Sequence, residues 1–277
     1  MSGRPPFISF LSDYGRSDEF VGVCHAVMLD IAPTARIVDV THDVPPYDVR
    51  AGALALVRAL QYLPEGVVLA IVDPGVGTDR RMIAVEVGHG HLVGPDNGLL
   101  APAVAMLGGP RRVVAIENDE YRLPAPGPTF AGRDVMAPAA AHLATGLDLA
   151  RLGPAVDPGS LAPGIVPLPE LADDGTILAE VLWVDRFGNC QLNVDPAFLE
   201  HVGVDLDDGV EVRVGDRGRR ARFAPTFAAA KPSELVMVVD SYGTCALAFD
   251  RASAAERLGL QAGAKVTIVP RPAGGAR

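Results

Sequence analysis

The chain has 277 residues, of which 49% are hydrophobic and 21% are charged, and this composition indicates a folded protein of one or two domains. Its formal net charge of -10, from 24 basic and 34 acidic side chains, argues against a nucleic-acid-binding surface, which needs clustered lysine and arginine. Only two lysines are present and no apolar run is long enough to span a bilayer, so the sequence also argues against a membrane partner.

The first part of the chain alternates predicted strands with predicted helices. Short apolar runs predict the strands, and apolar residues three or four positions apart predict the helices. Such alternation favours right-handed crossovers and a mostly parallel sheet covered by helices, which is an α/β fold. In chain order the predicted elements are strand 7–11, helix 19–31, strand 35–40, helix 49–63, strand 67–72, strands 82–87 and 91–94, a helix ending at Met106, and helix 135–145.

The composition changes near the middle of the chain. Residues 154–169 contain five prolines, including Pro154 and Pro169 at the two ends, and this pattern is typical of a linker. Short apolar runs then replace the helices and predict a small all-β antiparallel domain, either a barrel or a sandwich. These predicted strands are 177–184, 210–214, 235–239, 245–249 and 265–269. The sequence therefore predicts an α/β domain at 1–155, a proline-rich linker at 156–170 and the β domain at 171–277.

The strand predicted at 67–72 ends at Asp73, and a glycine-rich loop follows it. Open α/β sheets bind ligands beyond the carboxyl ends of their strands, so a carboxylate at this point indicates a site. Asp13 and Asp185 also follow apolar runs, and Arg80 is close enough in sequence to fold back over the loop. Three carboxylates in one cleft suit a cationic or hydroxyl-rich ligand, although Asp-Pro-Gly is also ordinary turn chemistry. The loop is not a nucleotide P-loop, because no Gly-Lys-Ser/Thr follows it.

The sequence predicts no metal or other cofactor. His89 and His91 lie on one side of a predicted strand, but two ligands without a third do not define a zinc site. Cys24, Cys190 and Cys245 are far apart and odd in number, which indicates neither a disulfide framework nor a zinc knuckle and favours a reducing cytoplasm. The amino terminus lacks the apolar core of a signal peptide.

Seven short motifs lie in order along the chain: Ser12-Asp13-Tyr14-Gly15, Asp39-Val-Thr-His-Asp43, Asp73-Pro-Gly-Val-Gly-Thr-Asp-Arg80, Gly94-Pro-Asp-Asn-Gly-Leu99, Thr129-Phe-Ala-Gly-Arg-Asp134, Asp185-Arg-Phe-Gly-Asn189 and Asp240-Ser-Tyr-Gly243. Together they resemble the S-adenosylmethionine (SAM) hydroxide adenosyltransferases, which are SAM hydrolases related to the fluorinating and chlorinating enzymes that act on the same substrate. The resemblance runs from about Phe7 to Val269 and so covers both predicted domains. Each motif alone is weak evidence, whereas seven in order are highly specific.

The resemblance implies an enzyme in which water or hydroxide attacks the 5′ carbon of SAM and gives adenosine and L-methionine, without a cofactor. It also implies a homotrimer, or a dimer of trimers, with each substrate held between the α/β domain of one subunit and the barrel of its neighbour. Because the sulfonium leaves as a neutral thioether, the reaction needs no general acid. The site has to align and desolvate the nucleophile instead.

The resemblance places substrate-binding roles on nine positions: Asp13, Phe130, Gly132, Asp185, Phe187, Asn189, Phe227, Ser241 and Tyr242. Asp13 matches the aspartate that holds the ribose hydroxyls in the family. Asp185 and Ser241 match positions that hold the amine and carboxylate of methionine, and Asn189 belongs to the same wall. Phe187 and Phe227 match aromatic residues around the adenine.

The catalytic set of the resembled hydrolases is an aspartate, an arginine and a histidine, and this chain departs from it at one position. Asp73 and Arg80 match the first two members, but Ala131 occupies the place of the histidine. The leading hypothesis is therefore a SAM hydrolase that is impaired because its third catalytic residue is missing.

Two alternatives stay open on the sequence alone. The fluorinating enzymes carry a long insertion where this chain has only residues 88–91 between two strands, and they lack the loop from Asp73 to Arg80, so the hydroxide-using branch fits better. However, Ala131 and Gly132 predict a small neutral pocket that suits a halide, which keeps a chloride-dependent adenosyl transferase in consideration. A protein that binds SAM or adenosine without catalysis is the second alternative.

Overall fold

The computed structural model describes residues 6–88, 90–164 and 166–270. The chain divides into two compact units between Val166 and Pro167, and each unit has its own hydrophobic core. The first unit is α/β and the second is a mostly antiparallel barrel, so the predicted fold class is confirmed. The finer domain limits given above stay predictions, and His89 lies outside the described residues.

A six-stranded sheet forms the centre of the first unit. Its strands are β1 (Phe7–Ser12), β2 (Arg36–Thr41), β3 (Gly66–Ile71), β4 (Met82–Val87), β5 (Gly90–Pro95) and β6 (Arg112–Ala115). They lie in the order β2-β1-β3-β5-β4-β6, parallel from β2 to β5 and antiparallel at β4 and β6. In the register of β1 and β3, Ser12 lies opposite Ile71. The residues that follow these two strands therefore start from one edge of the sheet.

Within the described part of this unit, four α-helices cover the sheet: α1 (Phe20–Ile31), α2 (Val49–Leu60), α3 (Ala101–Met106) and α4 (Ala137–Ala144). Helices α1 and α4 pack against each other over the buried faces of β1 and β3, and α2 packs against α3. A π-helical turn, Gly132–Met136, leads into α4, whereas the sequence predicted an ordinary helix from residue 135. Short 3-10 turns complete the unit at Asp119–Tyr121, Leu149–Leu152 and Pro158–Ser160. Among the described residues, no helix combines the length and apolar character needed to cross a membrane.

The start of the proline-rich segment lies along the first unit. The backbone N–H of Ala115 donates to the carbonyl of Pro154 at 2.9 Å, and Val156 donates to Val113 at 2.9 Å. The N–H of Ala162 donates to the carboxylate of Asp96 at 2.8 Å. These hydrogen bonds attach residues 154–162 to β6 and to the loop after β5.

The second unit is a closed barrel of seven strands, with one short additional strand. The strands are β7 (Glu170–Leu171), β8 (Ile177–Val184), β9 (Cys190–Leu192), β10 (Val210–Val214), β11 (Arg217–Phe223), β12 (Leu235–Val239), β13 (Cys245–Ala248) and β14 (Lys265–Pro270). The barrel runs β8-β9-β13-β12-β11-β10-β14 and closes by the pairing of β14 with β8. Only β11 and β12 are parallel among these pairs in the described range.

Five of the barrel strands lie where the sequence predicted them. The remaining strands were not predicted, because their sequences lack the apolar pattern of a strand. Strand β11 reads Arg-Gly-Arg-Arg-Ala-Arg-Phe, and its first four residues are exposed. Strand β9 has only three residues. Two short helices, α5 (Pro196–His201) and α6 (Ala254–Leu258), and a 3-10 turn at Phe227–Ala229 lie in the connections.

Candidate active site

The position of Asp73 is fixed by the loop that follows β5. Asp73 comes two residues after the end of β3, and the side-chain amide of Asn97 donates to the carbonyl of Val72 at 2.8 Å. The Asn97 side-chain oxygen accepts from the N–H of Leu99 at 3.2 Å, which holds the amide in this orientation. The motif around Asn97 thus fixes the strand end that presents Asp73.

Arg80 folds back onto Asp73, as its place in the sequence allowed. Both Nε and Nη2 of Arg80 donate to the two oxygens of the Asp73 carboxylate. The two side chains are nearly buried, with 12% of Arg80 and 7% of Asp73 exposed. A Cβ on Gly75 would lie 3.3 Å from the Arg80 side chain, so glycine lets the arginine pass over the loop. A buried bidentate pair of this kind is rigid, because neither charge can lose its partner without a large cost.

A cavity of about 470 Å³ opens at this edge of the sheet. Five of the predicted site residues line it or belong to its wall: Asp13, Asp73, Phe130, Ala131 and Gly132. They come from the ends of β1 and β3 and from the π-helical turn before α4. The cavity therefore gathers three separate predicted motifs into one place within the first unit.

Asp13 is half-buried in the lining of this cavity, and its carboxylate accepts a backbone hydrogen bond. Its Oδ2 accepts from the backbone N–H of Tyr47 at 2.9 Å. Burial raises the pKa of the Asp13 carboxyl, against the effect of the hydrogen bond from Tyr47, and the charge of Asp73 raises it further. Tyr47 lines the cavity and has a positive φ of 67°, a conformation that costs energy for a tyrosine. Apart from its position after two prolines, no sequence pattern marks Tyr47 as a site residue.

Three aromatic side chains form one wall of the cavity. The ring centroids of Tyr14 and Phe20 are 5.9 Å apart, and Phe130 lies 5.6 Å from Tyr14 and 5.2 Å from Phe20, all in edge-to-face contact. A Cβ on Gly132 would lie only 1.9 Å from the hydroxyl oxygen of Tyr14. Glycine at 132 is therefore required for the tyrosine to occupy this place. Phe130 and Gly132 were among the predicted substrate-binding residues, whereas Tyr14 and Phe20 were not.

Ala131 lies between two cavities. It lines the cavity just described and also a second one of about 780 Å³, which Arg80, Arg122 and Asp134 border. Its methyl group is the whole of its side chain, so a larger residue at this position has space on either side. Asp134 is held by Arg133, whose Nε donates to it at 2.6 Å, and the Arg133 guanidinium lies 4.9 Å from the ring of Phe130.

Within the described residues, one group of side chains could hold a metal ion: His25, Asp39 and His42. The Asp39 carboxylate lies 2.8 Å from Nε2 of His25 and 3.0 Å from Nε2 of His42. Burial acts to raise the pKa of Asp39, but the two imidazoles outweigh it and the pKa is lowered. Nδ1 of His42 is 2.8 Å from the hydroxyl of Ser12. These contacts connect the group to the end of β1, next to Asp13.

In the second unit, three predicted residues share the turn between β8 and β9. One oxygen of Asp185 accepts from the N–H groups of Phe187 and Asn189 at 2.8 Å and 2.9 Å, and the other accepts from the Asn189 side-chain amide at 2.7 Å. Gly188 has a φ of 81°, and a Cβ there would lie 2.1 Å from Ser253. The turn therefore has a fixed shape and leaves the Phe187 ring outside it, 78% exposed.

A second turn of the same kind carries Ser241 and Tyr242 between β12 and β13. One oxygen of Asp240 accepts from the N–H groups of Tyr242 at 2.8 Å and Thr244 at 3.1 Å. The other oxygen accepts from the side-chain amide of Gln191, so the second turn is tied to β9. Phe227 begins a separate 3-10 turn after β11 and is half-exposed.

The two units match the two domains of one family. Residues 8–153 match the SAM hydroxide adenosyltransferase N-terminal domain, and residues 179–267 match the C-terminal domain. The chain belongs to the SAM hydroxide adenosyltransferase family. The resemblance predicted from seven ordered motifs is thereby confirmed.

Relatives in this family have two kinds of name. A protein of Salinispora arenicola named (R)-S-adenosyl-L-methionine hydrolase is 48% identical over 263 residues, which cover 95% of this chain and 97% of the relative. A fluorinase of Nocardia brasiliensis is 30% identical over 296 residues, which cover 96% of this chain and 98% of the relative. The chain is thus more similar to this hydrolase than to this fluorinase.

A solved structure shows the same fold. The crystal structure of an uncharacterized conserved protein from Thermotoga maritima aligns with a TM-score of 0.87 at 37% identity and covers 95% of this chain and 99% of that one. An α/β domain followed by a mostly antiparallel barrel is therefore the architecture that this member of the family shares with it.

Proposed function

We propose that this protein hydrolyses SAM, with water or hydroxide attacking the 5′ carbon and giving adenosine and L-methionine. The observation that carries the proposal is a cavity lined by both Asp13 and Asp73, in which the nearly buried Asp73 carboxylate is held from behind by Arg80. The names of hydrolase relatives at 48% and 44% identity over nearly the full chain support it.

The geometry suits a displacement at carbon that needs no acid. A new bond forms between the water oxygen and C5′ while the C5′–S bond breaks, and its electron pair goes to sulfur, which leaves as a neutral thioether. Asp13 is placed to accept hydrogen bonds from the ribose hydroxyls. Asp73 accepts a proton of the attacking water, and Arg80 keeps the carboxylate in one orientation. Most of the rate enhancement then comes from aligning the attacking water with C5′ and from removing other water molecules from around it.

Ala131 makes this hydrolase slow. An imidazole at position 131 would lie between the two cavities, close to the Asp73–Arg80 pair, and could orient or deprotonate the attacking water. Losing a general base usually costs about 10²–10⁴-fold in rate. Binding is retained, because the ribose, adenine and methionine contacts that we propose use other residues. No metal or cofactor takes part in the proposed reaction.

The hydrolase relatives are named for the (R) epimer at the sulfonium, and we assign the same epimer to this protein. The two epimers have opposite configurations at sulfur, so each directs a different sulfur substituent along the cavity wall. A rigid site can therefore discriminate between them. Incubating excess protein with each epimer in H₂¹⁸O, with and without chloride, tests both points at once. We expect adenosine with one ¹⁸O in its 5′ hydroxyl, formed faster from the (R) epimer and without chloride.

The other outcomes of this experiment identify the alternatives. Formation of 5′-chloro-5′-deoxyadenosine only when chloride is present would show the chloride-dependent transferase, which the small neutral side chains at Ala131 and Gly132 favour. Binding of SAM measured by calorimetry without any nucleoside product would show a binding protein. Either result would reject hydrolysis as the function.

We also propose a homotrimer, or a dimer of trimers, in the cytoplasm. The aromatic residues assigned to adenine, Phe187 and Phe227, lie in the second unit and are exposed, so they need a facing surface to hold a ligand. A neighbouring subunit supplies it in a cyclic head-to-tail assembly, which closes on itself. Three buried, unpaired cysteines agree with a reducing compartment.

A further inference from the structure

Tyr14 is held firmly although it lies in a loop. Its backbone N–H donates to the hydroxyl of Ser12 at 3.3 Å, and Ser12 is paired with His42 at 2.8 Å. The N–H of the next residue, Gly15, donates to the carbonyl of His42 at 2.8 Å. On its side-chain end, the ring is enclosed by the edge-to-face contacts with Phe20 and Phe130 described above. Backbone and ring are therefore both fixed, which is what a precise polar contact requires.

The hydroxyl of Tyr14 lies beside Gly132, in the lining of the cavity that also contains Asp73. Only the missing Cβ of Gly132 leaves room for the oxygen, and the neighbouring residue on that side is Ala131. Tyr14, Asp73 and Ala131 line the same cavity. Among the described residues, no protein group forms a hydrogen bond with this hydroxyl, so it is available to a ligand or to water.

The phenol is neutral and can both donate and accept a hydrogen bond. Burial raises the pKa of Tyr14 well above its usual value. The neighbouring Cys24 and the negative charges of Asp13 and Asp73 raise it further, against the opposite effect of Arg80. A neutral hydroxyl in this position can bind water without becoming a competing nucleophile at neutral pH.

We propose that the Tyr14 hydroxyl positions the attacking water in this protein and performs part of the task of the absent imidazole. The inference rests on the proposed hydrolysis. Water has two O–H groups and two lone pairs, and attack on C5′ uses one lone pair. The Asp73 carboxylate accepts a hydrogen bond from one O–H of the water, and the Tyr14 oxygen accepts a hydrogen bond from the other. These two bonds orient the water so that a lone pair of its oxygen points at C5′. During attack one proton passes from the water to Asp73, and the C5′–S electron pair goes to sulfur.

The test is Tyr14→Phe, which removes one oxygen and keeps the ring contacts. We expect single-turnover adenosine formation at saturating SAM to fall about 3- to 10-fold, the effect of one neutral hydrogen bond. The Kd for SAM, measured by calorimetry, should stay the same. Tyr62→Phe is the matched control, because Tyr62 is exposed at the end of α2 and away from the cavity, and it should change neither quantity.

A second pair of variants separates water positioning from a structural role. In the Ala131→His protein the imidazole holds the water, so Tyr14→Phe should then slow the reaction by a clearly smaller factor, a non-additivity expected of groups that share one task. Equal rates for wild type and Tyr14→Phe would overturn the inference while leaving hydrolysis intact, and so would an equal loss in both backgrounds. Absence of adenosine from the wild type and from Ala131→His would instead reject the proposed function.

Discussion

The two units present their candidate residues in opposite ways. In the first unit the charges that we assign to chemistry are nearly buried and already paired, with Asp73 held by Nε and Nη2 of Arg80. In the second unit the turns at Asp185 and Asp240 are equally well ordered, but their aromatic residues are outside, with Phe187 78% and Tyr242 46% exposed. The charged pair in the first unit is thus already formed, whereas the exposed aromatic residues of the second unit need a ligand or a neighbouring surface to cover them.

Physical chemistry explains this difference. A charge taken out of water without a partner costs several kcal/mol, so a buried carboxylate has to be paired before any substrate arrives. An exposed aromatic ring has no such cost, and it gains most when a flat ligand covers it. We therefore expect substitutions of the buried charged pair in the first unit to change the reaction rate, and substitutions of the exposed aromatic residues in the second unit to change mainly ligand affinity.

The largest expected effect comes from breaking the buried pair. Asp73→Asn keeps the shape of the side chain but removes the charge that holds Arg80 and accepts the proton of water. We expect adenosine formation to fall by about 10³-fold, within the range for losing a proton acceptor. The matched control is Glu120→Gln, which neutralises one partner of an exposed ion pair with Arg151 and should leave the rate unchanged. Single-turnover rates that agree within twofold for Asp73→Asn and wild type would remove Asp73 from the mechanism.

The next effect is a gain. Ala131→His should restore the imidazole beside the Asp73–Arg80 pair, and the cavities on both sides of Ala131 provide the space for it. We expect adenosine formation to increase by about 10²-fold at saturating SAM, the low end of the range for a general base. Ala131→Leu is the control, since it fills similar space without a polar atom and should not accelerate the reaction. If both variants react at the wild-type rate, Ala131 is not the position of the missing catalytic group.

The sequence predicted the parts of this site that depend on strand ends. Asp13 and Asp73 were identified because each follows a buried apolar run, and parallel neighbours β1 and β3 bring their carboxyl ends to one edge. Arg80 was identified because the short glycine-rich loop after Asp73 allows the chain to fold back, so that the arginine can lie over the loop. These inferences need only periodicity and the rules of α/β sheets.

Other parts of the site depend on contacts that no local pattern encodes. The position of Tyr14 requires the missing Cβ of Gly132, which is far away in sequence, and the support of Ser12 by His42, the residue after β2. Tyr47 reaches Asp13 through a positive φ that tyrosine rarely adopts. Strand β11 was missed for a related reason, because the barrel sets its pairing while its own residues are mostly arginine.

An intermediate effect is expected at Asp13, which belongs to the first unit but binds rather than reacts. Asp13→Ala should weaken binding of SAM or adenosine by about 1.5–3 kcal/mol, the scale of a hydrogen bond to a charged group. Because burial raises the pKa of the Asp13 carboxyl, wild-type affinity should fall as the pH drops through this raised value, at a higher pH than for an ordinary aspartate. Calorimetry as a function of pH tests both statements. An identical pH profile for Asp13→Asn and wild type would assign the loss to another group.

The smallest effect tests the second unit itself. The N–H of Phe187 is tied to Asp185, so the turn should keep its shape when the ring is removed. Phe187→Ala is then expected to weaken adenosine binding by about 0.5–1.5 kcal/mol, the usual value of one aromatic contact, without changing the thermal unfolding midpoint. Tyr62→Ala, which removes an aromatic ring that is 69% exposed in the first unit, is the control.

This last prediction also tests the assembly. If the Phe187 ring contacts a ligand held by a neighbouring subunit, light scattering should give three times the 28.9 kDa chain mass, or a multiple of three, under the conditions of the calorimetry. A monomer that binds adenosine equally well with and without Phe187 would show that the first unit holds the ligand alone. The exposed aromatics of the barrel would then have no part in the site. A trimer in which Phe187→Ala weakens binding and Tyr62→Ala does not would instead place the barrel turns at the ligand, because only a ring that the ligand covers can contribute to its affinity.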